Sequence, residues 1–219
     1  MSDEDGFLSA KDLPQVLPVF PLAGALLLPH ASRPLNIFEP RYLNMIDDAM
    51  AAERIIGMVQ TAPGGSRDRP HLAGVGCAGR ITSFSETGDG RYLITLTGVA
   101  RFRLGDELPA STPYRRVRAD FSTFEKDLQP FCKSEDNREA LLEPLKAYLA
   151  MHGMRIDWDA VKTAPIEPLV NSLAMALPFG VAEQQALLEA GSAEERRDIL
   201  ITLLSIDGAF GPDDTPSLQ

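Results

Sequence analysis

Hydrophobic and polar residues follow two different periods along this chain, and the period changes between residues 125 and 137. Before the change, apolar residues mostly alternate with polar ones, which is the period of a β-strand with one buried face. After it, apolar residues recur every three or four positions, which is the period of an amphipathic helix. The pattern predicts the α+β class, with a curled β-rich half that contains one helix and an all-helical half behind it.

A strand that leads into this helix is predicted near the start of the chain. The apolar stretch from Leu17 to Pro34 is broken by prolines, which are excluded from central sheet ladders and favour short strands and turns. Pro40 suits the first position of a helix. Behind it, one apolar face recurs at helical spacing and comprises Tyr42, Met45, Ile46, Ala49 and Met50. Strand and helix are therefore predicted to meet at Phe38-Glu39-Pro40.

Two segments that follow this helix differ in character. Residues 55–59 are almost continuously apolar, which is typical of a strand covered on both faces. Residues 62–70 are rich in glycine and proline, which predicts a turn or a loop. The sheet is therefore expected to break off between these residues and to resume near Ala73.

The longest alternation in the chain predicts its clearest strand. From Tyr92 to Leu104 the even-numbered positions are apolar residues or Gly98 and share one face, with Arg101 and Arg103 on the opposite face. Because this run is longer than an ordinary strand, a bend or bulge is expected at Gly98, which would curl the sheet toward a barrel. A further strand is predicted over Tyr114–Phe124.

Prolines and caps divide the helical half. The first helix carries Pro144, which must either kink it or begin a second helix. Pro165 opens another helix. Ser192 and Glu195 have the spacing of a capping box, which predicts the start of the last helix.

The change of period also suggests how the chain is divided. We expect a β-rich subdomain over residues 13–124 and a helical bundle over residues 134–208. Residues 1–12 are polar and acidic, and residues 209–219 are rich in Pro, Asp and Ser, so both ends are expected to be flexible tails. A chain of 219 residues can bury a sizeable core in this way.

Several of these segments resemble a known family. The motifs occur in the same order as in the amino-terminal, substrate-binding domain of the ATP-dependent Lon proteases: PVFPL at 18–22, PLNIFEPRY at 34–42, GDGRY at 88–92, GVARF at 98–102 and LPF at 177–179. IFEPRY is the most specific of them. The resemblance implies a PUA-like pseudo-barrel followed by a helical bundle, and a role in selecting polypeptides for an attached motor.

The sequence offers no set of residues typical of an enzyme. It has neither a GxxxxGK[ST] nor a GxGxxG loop, so the ATPase and protease parts of a full Lon are not expected here. His30, His71 and His152 have no metal-ligand spacing, and Cys77 lies in phase with buried strand positions, which favours an inert thiol. We therefore expect a non-enzymatic protein with no catalytic residue, metal site or cofactor.

Charge limits the partners. The formal net charge is -10, which disfavours nucleic acid and anionic membranes as partners. Arg115, Arg116 and Arg118 form the one dense basic run, and a solvated edge strand explains it better than an RNA site. With no long apolar run and an acidic start, the protein is expected to be cytoplasmic.

The IFEPRY motif is the candidate site. Glu39, Arg41 and Tyr42 suit a structural role at the start of a helix. Alternatively, together with Phe38, they line a groove that holds an extended peptide. We therefore expect a module that binds exposed apolar segments of unfolded or partly folded polypeptides. A small-ligand-binding or RNA-binding PUA-like module is the alternative, and the sequence leaves the oligomeric state open.

Overall fold

A computed structural model describes residues 9–66, 68–129 and 138–207. It contains six strands, β1 (Val16–Pro21), β2 (Ser32–Ile37), β3 (Ile55–Gly65), β4 (Pro70–Glu86), β5 (Tyr92–Glu107) and β6 (Arg115–Asp120). Its α-helices are α1 (Pro40–Met50), α2 (Glu139–Met151), α3 (Trp158–Thr163), α4 (Ile166–Ala176), α5 (Val181–Glu189) and α6 (Ala193–Asp207). Two 3-10 helices span Ala10–Asp12 and Ser122–Leu128. The α+β class is confirmed.

The predicted tails fall mostly outside this description. Residues 1–8 and 209–219 lie outside the described residues, and so do positions 134 and 208, where the predicted helical subdomain begins and ends. Residues 10–12 of the predicted amino-terminal tail form a 3-10 turn. The next residue, Leu13, is buried beside the sheet.

The sheet closes on itself. Its strand order is β2-β5-β4-β3-β1-β6, and β6 also pairs with β5, so the five strands from β5 to β6 form a ring. β1 and β3 run parallel, whereas the other neighbours are antiparallel. β2 lies outside the ring, on the first half of β5. The expected curled pseudo-barrel is therefore present.

The bulge expected at Gly98 is confirmed. The register between β4 and β5 shifts where Ala78 faces Ala100 and Gly79 faces Gly98. A side chain at Gly98 would collide with the Leu28 carbonyl, because the chain passes across β5 at this point. Gly98 therefore both bends β5 and allows this close approach.

Two clusters of buried side chains lie on the two sides of the sheet. Inside the ring are residues such as Leu17, Val59 and Phe102. Between the sheet and the helices are residues such as Met58 and Leu145. The strand predicted over residues 55–59 contributes to both clusters, which confirms that it is covered on both faces.

Several local expectations were wrong or incomplete. The sheet does not break off over residues 62–70, because β3 runs to Gly65 and β4 starts at Pro70, and the predicted turn is confined to the segment between them, where Ser66 and Arg69 exchange backbone bonds. Arg101, which alternation places on the polar face, is only 3% exposed, because the end of α5 and the 3-10 helix Ser122–Leu128 cover that face. α2 continues through Pro144 as one helix. The helix α3 was not predicted, although Asp157 caps it with bonds to two backbone amides.

Candidate functional site

The junction between β2 and α1 is built as the sequence predicts. β2 ends at the buried Ile37, and Glu39 is the extended N-cap residue of α1. Pro40 occupies the first turn, where its missing N–H costs nothing. Asn44 donates from Nδ2 to the Pro40 carbonyl at 2.8 Å, which adds a side-chain bond within this turn.

Arg41 is held in a fixed position by two neighbours. Its Nε and Nη2 atoms donate to Glu39 Oε2 at 2.9 and 2.8 Å. Its Nη1 atom donates to the carbonyl of Asp68 at 3.3 Å, in the turn between β3 and β4. The guanidinium lies 4.7 Å from the centre of the Tyr42 ring. Arg41 therefore connects the start of α1 to the β3–β4 turn.

Tyr42 lies mostly in the core. It is only 7% exposed, and its ring meets Phe20 edge to face with the centroids 4.6 Å apart. Burial raises the pKa of Tyr42, and the nearby Arg41 opposes that shift. Its ring thus packs the helix on the sheet, and a smaller part of the side chain reaches the surface.

A small cavity opens beside these residues. Its volume is about 190 Å³. The wall combines the start of α1 with the ends of several strands and comprises Pro21, Glu39, Arg41, Tyr42, Thr61, Asp68, Pro70, Pro113, Tyr114 and Arg115. A second depression of about 170 Å³ shares Arg41, Asp68 and Tyr114 with it and extends along the loop between β5 and β6. The candidate site is therefore a shallow double pocket at one end of the barrel.

The second depression is charged but internally paired. Arg115 donates from Nε and Nη2 to the two oxygens of Glu107 at 3.0 and 2.7 Å, and from Nη1 to the Pro70 carbonyl at 2.6 Å. Arg69 approaches the same carboxylate at 2.8 Å. The bond from Arg115 holds the pKa of Glu107 below its usual value. These pairs fix the wall of the pocket.

Phe38 lies apart from this pocket. Its side chain is 63% exposed, more than that of any other large hydrophobic residue among those described, and it does not line the cavity. The structure thus brings Glu39, Arg41 and Tyr42 together at one wall and leaves Phe38 one residue away, at the end of β2. Whether these residues bind a peptide remains a prediction.

The basic run on β6 is not an edge strand, so that expectation was wrong. β6 pairs with β1 through residues 115–118 and with β5 through residues 117–120. Closure of the barrel, which alternation alone does not predict, gives β6 two neighbours. Arg116 donates to Ser111 at 2.5 Å, and Arg115 is bound to Glu107 as described above.

Metal ligation, thiol reactivity and membrane insertion each have a structural requirement. Among these residues, no three His, Cys, Asp or Glu side chains converge as metal ligands. Cys77 is fully buried, as predicted, and burial raises the pKa of its thiol. No helix within the described ranges is long and apolar enough to cross a membrane.

Sequence reasoning missed one site altogether. A groove of about 470 Å³ lies between β2 and α4, and Arg33 is half-buried in it. The signal was Pro34, because a proline inside a strand marks an edge. The packing of α4 against that edge has no local sequence signal.

The sequence matches one protein family over most of its length. Residues 16–205 match the family model for the ATP-dependent protease La (LON) substrate-binding domain. Lon protease 2 of Myxococcus xanthus is 28% identical over 91% of this chain and 24% of its own length. The Lon protease of Anaeromyxobacter dehalogenans is 29% identical over 90% of this chain and 24% of its own length. The chain thus spans about a quarter of the length of these relatives.

Solved structures agree on the fold. A Lon N-terminal domain protein from Xanthomonas campestris superposes with a TM-score of 0.61 at 23% identity, over 85% of this chain and 97% of that one. The N-terminal domain of a Mycobacterium avium complex Lon protease gives 0.60 at 20% identity, over 87% and 98%. At these identities the likeness concerns the fold alone.

Proposed function

The chain belongs to the family of LON substrate-binding domains, and on that premise we propose that it is a polypeptide-recognition module without catalytic activity of its own. It holds exposed apolar segments of unfolded or partly folded polypeptides at the junction of β2 and α1. Phe38 is the apolar contact, and the wall formed by Glu39, Arg41 and Tyr42 supports it. Membership of the family supports the class of function, and the exposure of Phe38 beside the start of α1 supports the proposed location.

The exposure of Phe38 carries the proposal. Single exposed hydrophobic residues are common on protein surfaces, so exposure by itself means little. Here the residue sits at the end of a strand, next to a helix start that Arg41 and Glu39 hold in place. Covering such a side chain stabilises a complex by about 1.5–3 kcal/mol. A rigid support means that little of this is lost to ordering the site.

The neighbouring pocket suits the rest of an extended peptide. Its wall mixes rings and prolines with the Arg41 and Arg115 guanidinium groups, so it offers both flat apolar surface and hydrogen-bond donors. Such contacts are individually modest. We therefore expect a dissociation constant in the micromolar range, about -8 kcal/mol, and at this junction little preference beyond apolar character.

The residues at this pocket favour binding over catalysis. Its described lining contains no Ser, Cys, His or Lys, its one glutamate is held by Arg41, and no described side chain accepts a hydrogen bond from the Thr61 hydroxyl. Nucleophilic catalysis requires a nucleophile within hydrogen-bond reach of a base. We therefore expect neither peptide cleavage nor ATP hydrolysis from this chain.

The test is the substitution Phe38→Ala, with Ile206→Ala as the matched control. Ile206 is also an exposed large hydrophobic residue, at 51%, but lies on α6. The probe is a fluorescently labelled protein that has been reduced and carboxymethylated so that it stays unfolded, and binding is followed by fluorescence anisotropy. Phe38→Ala should weaken binding about tenfold, whereas Ile206→Ala should leave it unchanged.

A second variant tests the wall. Arg41→Ala removes the bonds to Glu39 and Asp68 and should weaken binding of the same probe by about threefold or more. Circular dichroism establishes that each variant is folded. Folded Phe38→Ala and Arg41→Ala proteins that bind the probe as tightly as the unmodified chain would show that the junction is not the binding site.

A further inference from the structure

The outer edge of β2 is unpaired. β2 pairs with β5 on one side and with no described strand on the other. The Gly98 amide donates to the Ala31 carbonyl at 2.8 Å. Because bonding residues alternate in an antiparallel pair, the odd-numbered residues of β2 bond to β5. The backbone groups of Ser32, Pro34 and Asn36 therefore point away from the sheet, and no described residue bonds to them.

The position of Pro34 is consistent with this alternation of inward and outward backbone groups. Proline has no N–H, so within a sheet it is tolerated where that group would face outward from an edge. It removes one of the three outward N–H groups of β2, and those of Ser32 and Asn36 remain. The outward carbonyls of Ser32, Pro34 and Asn36 also remain as acceptors. The edge is therefore weakened as a template for another strand but not closed.

The edge faces a groove with a helix on its far side. The groove has a volume of about 470 Å³ and is lined by residues 30–34 and by one face of α4, Ser172, Met175 and Ala176. Asn171 donates from Nδ2 to the Pro29 carbonyl at 3.3 Å, which fixes α4 beside the strand. An extended peptide added to a strand edge beside a helix is a common mode of recognition, in which backbone bonds provide affinity.

Arg33 makes this groove positive. Its Nη1 atom donates to the carbonyls of Leu26 and Met175 at 3.1 and 3.4 Å, and among the described residues no carboxylate pairs with it. Burial lowers the pKa of this guanidinium, and no neighbouring acid opposes that shift. A half-buried cation whose partners are neutral attracts a carboxylate. A second copy of this chain is a poor occupant, since each copy carries a net charge of -10.

We infer that β2 takes up an extended acidic segment of a client polypeptide as an added strand, with an Asp or Glu side chain of the client against Arg33. The inference rests on the proposed function, because it describes how the polypeptide is held. β2 ends one residue before Phe38, so one extended segment reaches both the groove and the apolar contact. The client then combines one acidic residue with apolar residues further along.

The first test changes single backbone groups of the edge. Ser32→Pro removes an outward N–H without removing a backbone bond to β5, and Ser32→Ala controls for the loss of the hydroxyl, whose oxygen lies 3.0 Å from Thr97 Oγ1 on β5. Pro34→Ala restores the missing outward N–H. The probe is an amidated ten-residue peptide of alternating Thr and Val with one central Glu. Binding should weaken about three- to tenfold in Ser32→Pro, stay unchanged in Ser32→Ala and tighten by about threefold in Pro34→Ala.

The second test changes the peptide, so that the fold of the protein is not affected. Replacing the central Glu of the probe by Gln should weaken binding about fivefold, and replacing it by Lys should weaken it further. Methylation of every second backbone nitrogen of the peptide should abolish binding when the methylated nitrogens are those that would donate to β2. Equal binding of the Glu, Gln and Lys peptides would overturn the role of Arg33.

The outcomes separate this inference from the proposed function. Phe38→Ala could weaken binding of the unfolded protein while Ser32→Pro and Pro34→Ala leave the affinity for both probes unchanged. In that case the junction binds clients, and the inference of strand addition is wrong. If neither set of variants changes binding, the proposed function fails as well. If sedimentation shows that Pro34→Ala promotes dimers and the peptide does not compete, the edge pairs two copies and the inference is wrong.

Discussion

Two arginine–carboxylate pairs in this molecule have the same chemistry and opposite surroundings. The Arg101 and Asp127 side chains are 4% and 9% exposed, whereas Arg41 and Glu39 are 37% and 43% exposed. Arg101 bonds to both oxygens of Asp127 at 2.8 Å, and Arg41 bonds twice to a single oxygen of Glu39. Both arginines also bond to backbone carbonyls elsewhere in the fold, Arg41 to Asp68 and Arg101 to the end of α5.

Arg101 joins the barrel to the helical half. Its Nη1 atom donates to the carbonyls of Leu188 and Ala190, at the end of α5. A cation is favourable at the carboxyl end of a helix. Breaking a buried pair leaves an uncompensated charge, whereas an exposed pair contributes little to stability. The Arg101–Asp127 pair therefore stabilises the fold, whereas the Arg41–Glu39 pair can take part in binding with little loss of stability.

The largest effect is expected where the buried pair is broken. Arg101→Met should lower the free energy of unfolding by about 3–5 kcal/mol, because Asp127 stays buried without its partner. Arg103→Met is the matched control, since Arg103 lies on the same strand and is exposed. Urea denaturation measures both. A loss below about 1 kcal/mol for Arg101→Met would remove the distinction drawn between the two pairs.

Tyr42 should behave as a core residue although it borders the exposed pair. Tyr42→Ala removes a ring that packs on Phe20 and should cost about 3–5 kcal/mol. Tyr42→Phe keeps the ring and should cost less than about 1 kcal/mol. Thermal and urea unfolding of the two variants provide the measurement. If both variants are equally stable, the ring does not support the junction.

Tyr114 should make stability depend on alkaline pH. Burial and the bond to Asp48, at 2.6 Å, raise the pKa of Tyr114 from 10.0 to about 12. The unfolded chain therefore releases this proton first as the pH rises. The contribution of protonated Tyr114 to the free energy of unfolding is fully present below pH 10 and is lost between pH 10 and about 12. Tyr114→Phe should flatten this part of the curve of unfolding free energy against pH, and an unchanged slope would contradict the assignment.

The smallest effect on stability is expected at the exposed pair. Glu39→Gln should change the free energy of unfolding by less than about 0.5 kcal/mol, because solvent already screens the pair. The difference from the unmodified chain should shrink further in 0.5 M salt. Denaturation at low and high salt checks this. A loss as large as that of Arg101→Met would assign the pair a structural role.

Local sequence patterns predicted the helix start and the bulge, but not which distant elements pack against each strand. The start of α1 at Pro40 and the bulge at Gly98 follow from residue type and spacing. The burial of Arg101 does not, because alternation cannot indicate that α5 packs on the polar face of β5. In the same way, barrel closure gives β6 a second neighbour that its sequence does not show.

The sequence likewise predicted one of the two candidate sites and missed the other. IFEPRY indicated the junction, and the side chains of Glu39, Arg41 and Tyr42 do meet there. The groove beside Arg33 depends on α4, more than 130 positions away along the chain, so only the folded chain reveals it. A strand-edge proline was the one local clue.

Amide hydrogen exchange with and without the unfolded, carboxymethylated protein tests the central claim most directly. The account predicts slower exchange at the outward amides of Ser32 and Asn36 and at the amides on either side of Pro40 between residues 38 and 42, with no change in the buried amides of β5. Phe38→Ala should reduce this protection, and Ile206→Ala should not. Protection confined to other surfaces, such as the exposed face of α6, would contradict the claim that clients bind along β2 and at the start of α1.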